Sequence, residues 1–249
     1  MEAFVFSSAL RYHLGLRRLL PWLALGIVIT ILGVVWTRFS PDASAVDRYV
    51  AVSSMLIYKV SALAAVILAT TIVSQEVEQK TIVYLLTRPI PRWKLLLFRY
   101  FAASVAVAVI GIILAAMLAT AVFGSPMANP IFLRDCAGLT VGAFAYTALF
   151  LTVTLLINRA MILCLIIAFG WESIAPTMPG NMFRLSIYSY LQAIAQHPKQ
   201  ESLIPVEGGI SSLAPTTGYL AMLGLIVALI AFACYWFTTF EYVPREDAE

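Results

Sequence analysis

The sequence predicts an all-α, polytopic membrane protein. It is expected to carry six transmembrane helices, an N-terminal interfacial helix and a further helix embedded at the outer interface before the last span. Three observations predict this. The 249 residues are 61% apolar and only 12% charged, whereas soluble domains run about 45–50% and about 25%. A soluble domain this poor in charge could not cover its surface, and disorder requires the opposite composition. The apolar residues also lie in continuous runs without a period of two, which sets aside a β-barrel. Finally, a helix needs about 20 apolar residues to cross ~30 Å of hydrocarbon, and the runs accommodate six. Residues 1–249 are therefore read as a single transmembrane domain.

The elements follow in order. Residues 2–17 mix apolar, aromatic and basic side chains, which suits a helix lying in the headgroup region. Span one covers roughly 19–37, with Pro21 in its first turn, where proline is tolerated. Arg11, Arg17 and Arg18 precede it and no small-x-small cleavage pattern follows, so it reads as a retained anchor. Span two covers roughly 50–73. Span three, 95–123, ends at Gly124-Ser125-Pro126. A loop with Asn129, Pro130, Arg134 and Asp135 leads to span four, 137–157. Asn158-Arg159 makes a tight turn into span five, 160–176. A loop over 177–214 precedes span six, 216–239. In that loop Leu185, Ile187, Tyr188, Tyr190, Leu191 and Ile194 suit a helix embedded at the interface.

Orientation follows from the basic residues. With the N-terminus inside, ten Lys and Arg lie on the inner side and five on the outer, so both termini are expected in the cytoplasm. The net charge of +3 does not suggest nucleic acid. Membrane lipids are the expected surroundings.

Two ionisable residues interrupt the spans: Lys59 in span two and Glu172 in span five. An uncompensated charge at the centre of a span costs at least ~2.5–3.5 kcal/mol. Two arrangements relieve it. Lys59 and Glu172 pair, within one subunit or across a dimer, or Lys59 snorkels outward while span five ends early and leaves Glu172 in a wet loop.

Catalytic signatures are absent. The chain has no His-Glu-x-x-His helix, no Gly-x-Ser-x-Gly elbow and no Gly-Lys pair with which to build a phosphate-binding loop. His13 and His197 are expected on opposite sides, which rules out a shared metal. No aspartate falls within an expected span, which sets aside an intramembrane aspartyl protease. No catalytic, cofactor-binding or metal-binding residue is assigned.

The segment 74–94, SQEVEQKTIVYLLTRPIPRWK, is the most unusual stretch. Glu76 and Glu78 close span two, and Lys80 and Thr81 follow. The apolar run includes Leu85 and Leu86. Pro89 and Pro91 stop any helix, and Arg92-Trp93-Lys94 restart one at the interface, where Trp is favoured. An apolar strip with fixed charges marks a contact surface.

Here the chain resembles a family. Glu76-Val77-Glu78-Gln79-Lys80-Thr81 is similar to the Glu-x-Glu-x-Gly-Thr stretch of type-2 ABC exporter permeases. Lys80 stands where that family has glycine. Leu85-Leu86-Thr87-Arg88-Pro89-Ile90-Pro91-Arg92 resembles the family's Leu-Leu-(Ser/Thr)-x-Pro-(Ile/Val)-x-Arg turn. The six-span layout resembles it too.

The resemblance implies that 74–94 is a coupling helix that docks on a separate ATPase, through Glu76, Glu78, Lys80, Thr81, Leu85, Leu86, Pro89 and Arg92. It implies two ATPase subunits, which hold ATP and Mg, and a second permease copy, either a homodimer or a related heterodimer. It places Lys59 and Glu172 beside the pathway, and a re-entrant helix over the exit, in the cell membrane. Two other classes remain open: an ion-coupled secondary transporter that uses Lys59 and Glu172, and a membrane assembly or immunity factor.

Overall fold

The computed structural model describes residues 10–11, 15–39, 43–78, 92–157, 160–178, 181–197 and 213–239. Among them every regular element is a helix. Six stretches are long and apolar enough to cross a bilayer: Arg18–Trp36, Ala45–Ile72, Trp93–Phe123, Pro130–Leu156, Ala160–Thr177 and Pro215–Thr239. They are spans one to six below, and the chain is a multi-pass membrane protein. The expected interfacial helix 2–17 and the Asn158-Arg159 turn lie mostly or wholly outside the described residues.

Two spans begin earlier than expected, and capping explains both. Asn129 accepts a hydrogen bond from the Ile131 amide at 3.1 Å, and Pro130 fills the first helical position. This is a strong start signal. It draws the expected loop, Arg134 and Asp135 included, into span four. Span two starts at Ala45 because the Ser44 side chain accepts from the Asp47 amide at 3.1 Å. The expectation that no span holds an aspartate is thereby corrected: Asp47 and Asp135 both lie in one. In span one the helix starts at Leu16, so Pro21 sits a turn deeper than expected.

Span four is the centre of the bundle. It packs against spans two, three and six and against a short helix, Ile187–Ala195, in the connection between spans five and six. Its buried face carries Leu139, Ala143, Tyr146, Phe150 and Leu151. Spans one and six lie at the periphery and expose Ile27, Ile31, Leu220, Leu223 and Val227. Exposed apolar side chains cost nothing against lipid tails, so packing in a bilayer depends on close backbone approach instead.

That approach occurs at Gly138 and Gly142, four residues apart on span four. A Cβ at Gly142 would lie 2.6 Å from Leu191 Cδ1, and one at Gly138 would lie 2.8 Å from the Tyr58 hydroxyl. The pair makes the groove that seats the 187–195 helix, by the small-xxx-small logic of membrane helix contacts. The segment was expected to be an embedded helix, and a helix is what forms over 187–195.

The two kinds of glycine should respond oppositely to alanine. Gly142→Ala should lower stability by about 1–3 kcal/mol through overpacking against Leu191. Gly224→Ala, which meets nothing within 4 Å, should be neutral or gain up to ~1 kcal/mol in helix propensity. Thermal unfolding of both variants in detergent checks this. Equal midpoints would refute the groove.

Candidate functional site

The polar side chains of the bundle gather where spans two and four begin and span five ends. Asp135 is fully buried. A buried charge must be hydrogen-bonded or it costs several kcal/mol, and Asp135 has three partners. Its Oδ2 accepts from Ser53 Oγ at 2.8 Å. Its Oδ1 accepts from the Tyr58 hydroxyl at 2.8 Å and lies 2.6 Å from His197 Nε2.

Local backbone geometry makes this convergence possible. Ser53 and Tyr58 are five residues apart, which in an α-helix would point them about 140° away from each other. The segment Ser53–Ile57 is instead a π-helical turn, with the Tyr58 amide bonded to the Ser53 carbonyl. The wider turn brings both hydroxyls to one carboxylate, as π turns at functional sites commonly do. His197 arrives from the other side. Gln196 adopts a left-handed conformation, φ 51°, and ends the 187–195 helix. The chain then folds back, with His197 Nδ1 2.6 Å from Gln192 Oε1. The Tyr58 ring meets His197 and Tyr188 edge-on, each at 6.0 Å.

Glu172, 3% exposed, is satisfied differently. Its Oε2 accepts from Ser186 Oγ at 2.7 Å, the Tyr188 amide at 2.8 Å and the Tyr146 hydroxyl at 3.2 Å. Its Oε1 accepts from the Ile187 amide at 3.1 Å. Ile187 and Tyr188 open the 187–195 helix, and their amides have no partner within it. The carboxylate meets the positive end of the helix dipole, where an anion is favoured. A second π turn, Ile166–Trp171, immediately precedes Glu172.

The 187–195 helix is thus tied at both ends to membrane spans. Glu172 holds its first turn to span five, and His197 fastens its last turn to Asp135 of span four and, through Tyr58, to span two. Between them the Tyr188 hydroxyl donates to the Ser54 carbonyl at 3.2 Å. Burial pushes that phenol up to about 12, with the Ser54 side chain pulling the other way and the Asp135 charge adding to the rise. Tyr188 therefore stays a neutral donor at physiological pH.

Lys59 lies beside this arrangement. Its Nζ donates to Ser173 Oγ at 2.7 Å and sits 5.4 Å from the centre of the Tyr188 ring. Lys59 and Glu172 are neighbours in space, but the lysine contacts the residue after the glutamate, and the four donors to Glu172 come from elsewhere. Of the expected coupling residues, Glu76 and Glu78 end the helix Tyr58–Glu78 and Arg92 starts the helix Arg92–Phe123. Lys80, Thr81, Leu85, Leu86 and Pro89 lie outside the described residues, as do the side chains of Glu76, Glu78 and Arg92.

Sequence reading missed Asp135, His197 and the two glycines. The signals were present: Asn129-Pro130 as a helix start, and Gly138-Leu-Thr-Val-Gly142 as a close-approach motif. Asp135 removes the ground on which an intramembrane aspartyl protease was set aside; Asp47, the other aspartate in a span, is exposed and its carboxylate accepts from the Ser44 hydroxyl. Among the described residues no group of three or more His, Cys, Asp or Glu could hold a metal.

Comparison with known proteins agrees with the architecture. A family described as "ABC-2 family transporter protein" matches residues 16–171, more than half of the chain. No curated protein matches the chain.

Removing either anchor should loosen the 187–195 helix. Glu172→Ala leaves the Ile187 and Tyr188 amides without a partner, at about 1–3 kcal/mol each, and Asp135→Ala strands Ser53, Tyr58 and His197. Hydrogen exchange followed by mass spectrometry should show faster exchange over 187–195 in both. Lys59→Met should leave that segment protected. Equal loosening by Lys59→Met would count against the two-anchor arrangement.

Proposed function

The chain belongs to the ABC-2 family of transporter proteins, and we propose from that premise that it is the membrane-spanning permease subunit of an ATP-driven exporter. The observation that carries the proposal is the extent of the family match. It runs from the start of span one into span five, ending at residue 171, and includes the connection between spans two and three. That connection joins the C-terminal end of span two to the N-terminal end of span three, at the opposite end of the bundle from Asp135 and Glu172.

In this reading residues 74–94 face the cytoplasm and dock on a separate ATPase. Glu76, Glu78, Lys80 and Arg92 supply charges, and Leu85 and Leu86 supply an apolar strip, with Thr81 and Pro89 shaping the turn. The ATPase, in two copies, holds ATP and Mg, and this chain holds neither. A second permease copy, identical or related, completes the transporter in the cell membrane, with both termini cytoplasmic. The 187–195 helix then stands at the outer face, and Lys59 and Glu172 beside the pathway. The excess of Lys and Arg on the proposed inner side supports this orientation.

Co-expression with a candidate ATPase tests the proposal. The wild-type chain should retain the ATPase through affinity purification and alter its rate of ATP hydrolysis. Glu76→Ala, Glu78→Ala and Arg92→Ala should each weaken retention about tenfold or more, as loss of a charged hydrogen bond does. Full retention and unchanged ATPase rates in all three would refute the coupling role.

A further inference from the structure

We propose that Lys59 is the recognition group of an anion-binding site on the exposed face between spans two and five, and that its ligand is an anionic amphiphile with a carboxylate or phosphate head and an alkyl tail. The argument starts from charge. A lysine inside a membrane span requires compensation. The nearest acid is Glu172, whose charge attracts the lysine, but its carboxylate is 3% exposed and takes its hydrogen bonds from Tyr146, Ser186, Ile187 and Tyr188, so it attracts the ammonium without bonding to it and leaves the N–H donors of Lys59 open. Among the described residues the only hydrogen-bond partner of Lys59 is Ser173, which is neutral. The Ser173 hydroxyl donates to the Phe169 carbonyl at 2.6 Å, so it offers the ammonium a lone pair and no charge.

The lysine is nonetheless held in place. Ser173 takes one of its three N–H donors, and the Tyr188 ring lies against the cation. Tyr188 is itself fixed by the Ser54 carbonyl and by Glu172. Two N–H donors remain for a ligand, on a positioned cation. Lys59 on span two and Ser173 on span five each lie two residues past the end of a π turn, a feature concentrated at functional sites.

The surroundings fit an alkyl chain. Ser173 is exposed while Glu172 beside it is turned into the bundle. Met55, one turn before Lys59 on the same face, is 73% exposed, and Ile162 and Ile166 form an exposed apolar stripe along span five. A head group on Lys59 would leave its tail to the exposed apolar side chains of these two spans.

The same chemistry could come from a resident anionic lipid or from a transported molecule. Only the second source rests on the permease reading, and binding itself does not require an ATPase. The test uses the full chain in phosphatidylcholine nanodiscs, with lysophosphatidic acid and lysophosphatidylcholine of equal chain length as probes. The wild type should bind the anionic probe about tenfold or more tightly than the zwitterionic one, the scale of a charged hydrogen bond. Lys59→Gln should abolish the preference and Lys59→Arg should keep it. Unchanged exchange protection over 187–195 verifies that Lys59→Gln is folded. Phosphatidylglycerol in the nanodisc displacing the probe would assign the site to a resident lipid, and failure to displace it would assign the site to a transported molecule. Equal binding of the two probes by the wild type, or a preference that survives Lys59→Gln, would overturn the proposal. Anion binding without ATPase retention would leave the site standing and remove the exporter reading, and the reverse result would do the opposite.

Discussion

A carboxylate sealed inside an apolar bundle must collect donors, and Asp135 and Glu172 each take part of theirs from one end of the same short helix. Glu172 binds the free amides of Ile187 and Tyr188, and Asp135 meets His197 just beyond the last turn. The dependence is mutual. Without the 187–195 helix both charges would lack partners they need, and without the charges the helix would have unsatisfied amides at one end and no anchor at the other. Much else at this end of the molecule follows from that exchange. The π turn at Ser53–Ile57 aims two hydroxyls at Asp135, Gly138 leaves room for the Tyr58 hydroxyl, and Gly142 admits Leu191.

The lysine illustrates how such a network redistributes charge. Counting ionisable side chains alone matches Lys59 with Glu172, because each is costly by itself. Side-chain counting omits backbone amides, and the free amides of a helix N-terminus are hydrogen-bond partners for a carboxylate as well. Glu172 takes hydrogen bonds from that N-terminus and still attracts Lys59 through its charge, while Lys59 takes its own contacts from Ser173 and the Tyr188 ring. The cation is thereby left on the exposed side of the bundle and the anion on the buried side.

The bundle also separates its two kinds of chemistry. Asp135, Glu172, His197 and Lys59 lie toward one end, where spans two and four begin. The helix ends at Glu78 and Arg92 lie at the other, and span four, the most buried of the six spans, is the central helix of the bundle. A helix fastened to spans two, four and five together is placed to respond when those spans shift relative to one another.

The sequence by itself determined the helical, six-span architecture, because continuous apolar runs of sufficient length have one stable solution in a bilayer. It also marked the 187–195 helix and set Lys59 and Glu172 apart as the charges that need explaining. It placed Asp135 in a loop, since the ten residues between Pro126 and the expected start of span four at 137 are of mixed polarity and look like a connection, although Asn129-Pro130 already signalled a helix start. Only the tertiary structure decided what each charge touches. Its partners lie tens of residues away, from Tyr58 to Asp135 or Lys59 to Ser173, and several are backbone amides, which every residue but proline carries and no sequence pattern distinguishes. Long-range contacts of that kind depend on how the helices are rotated and how closely glycine lets them approach, and both are properties of the packed bundle rather than of any one segment.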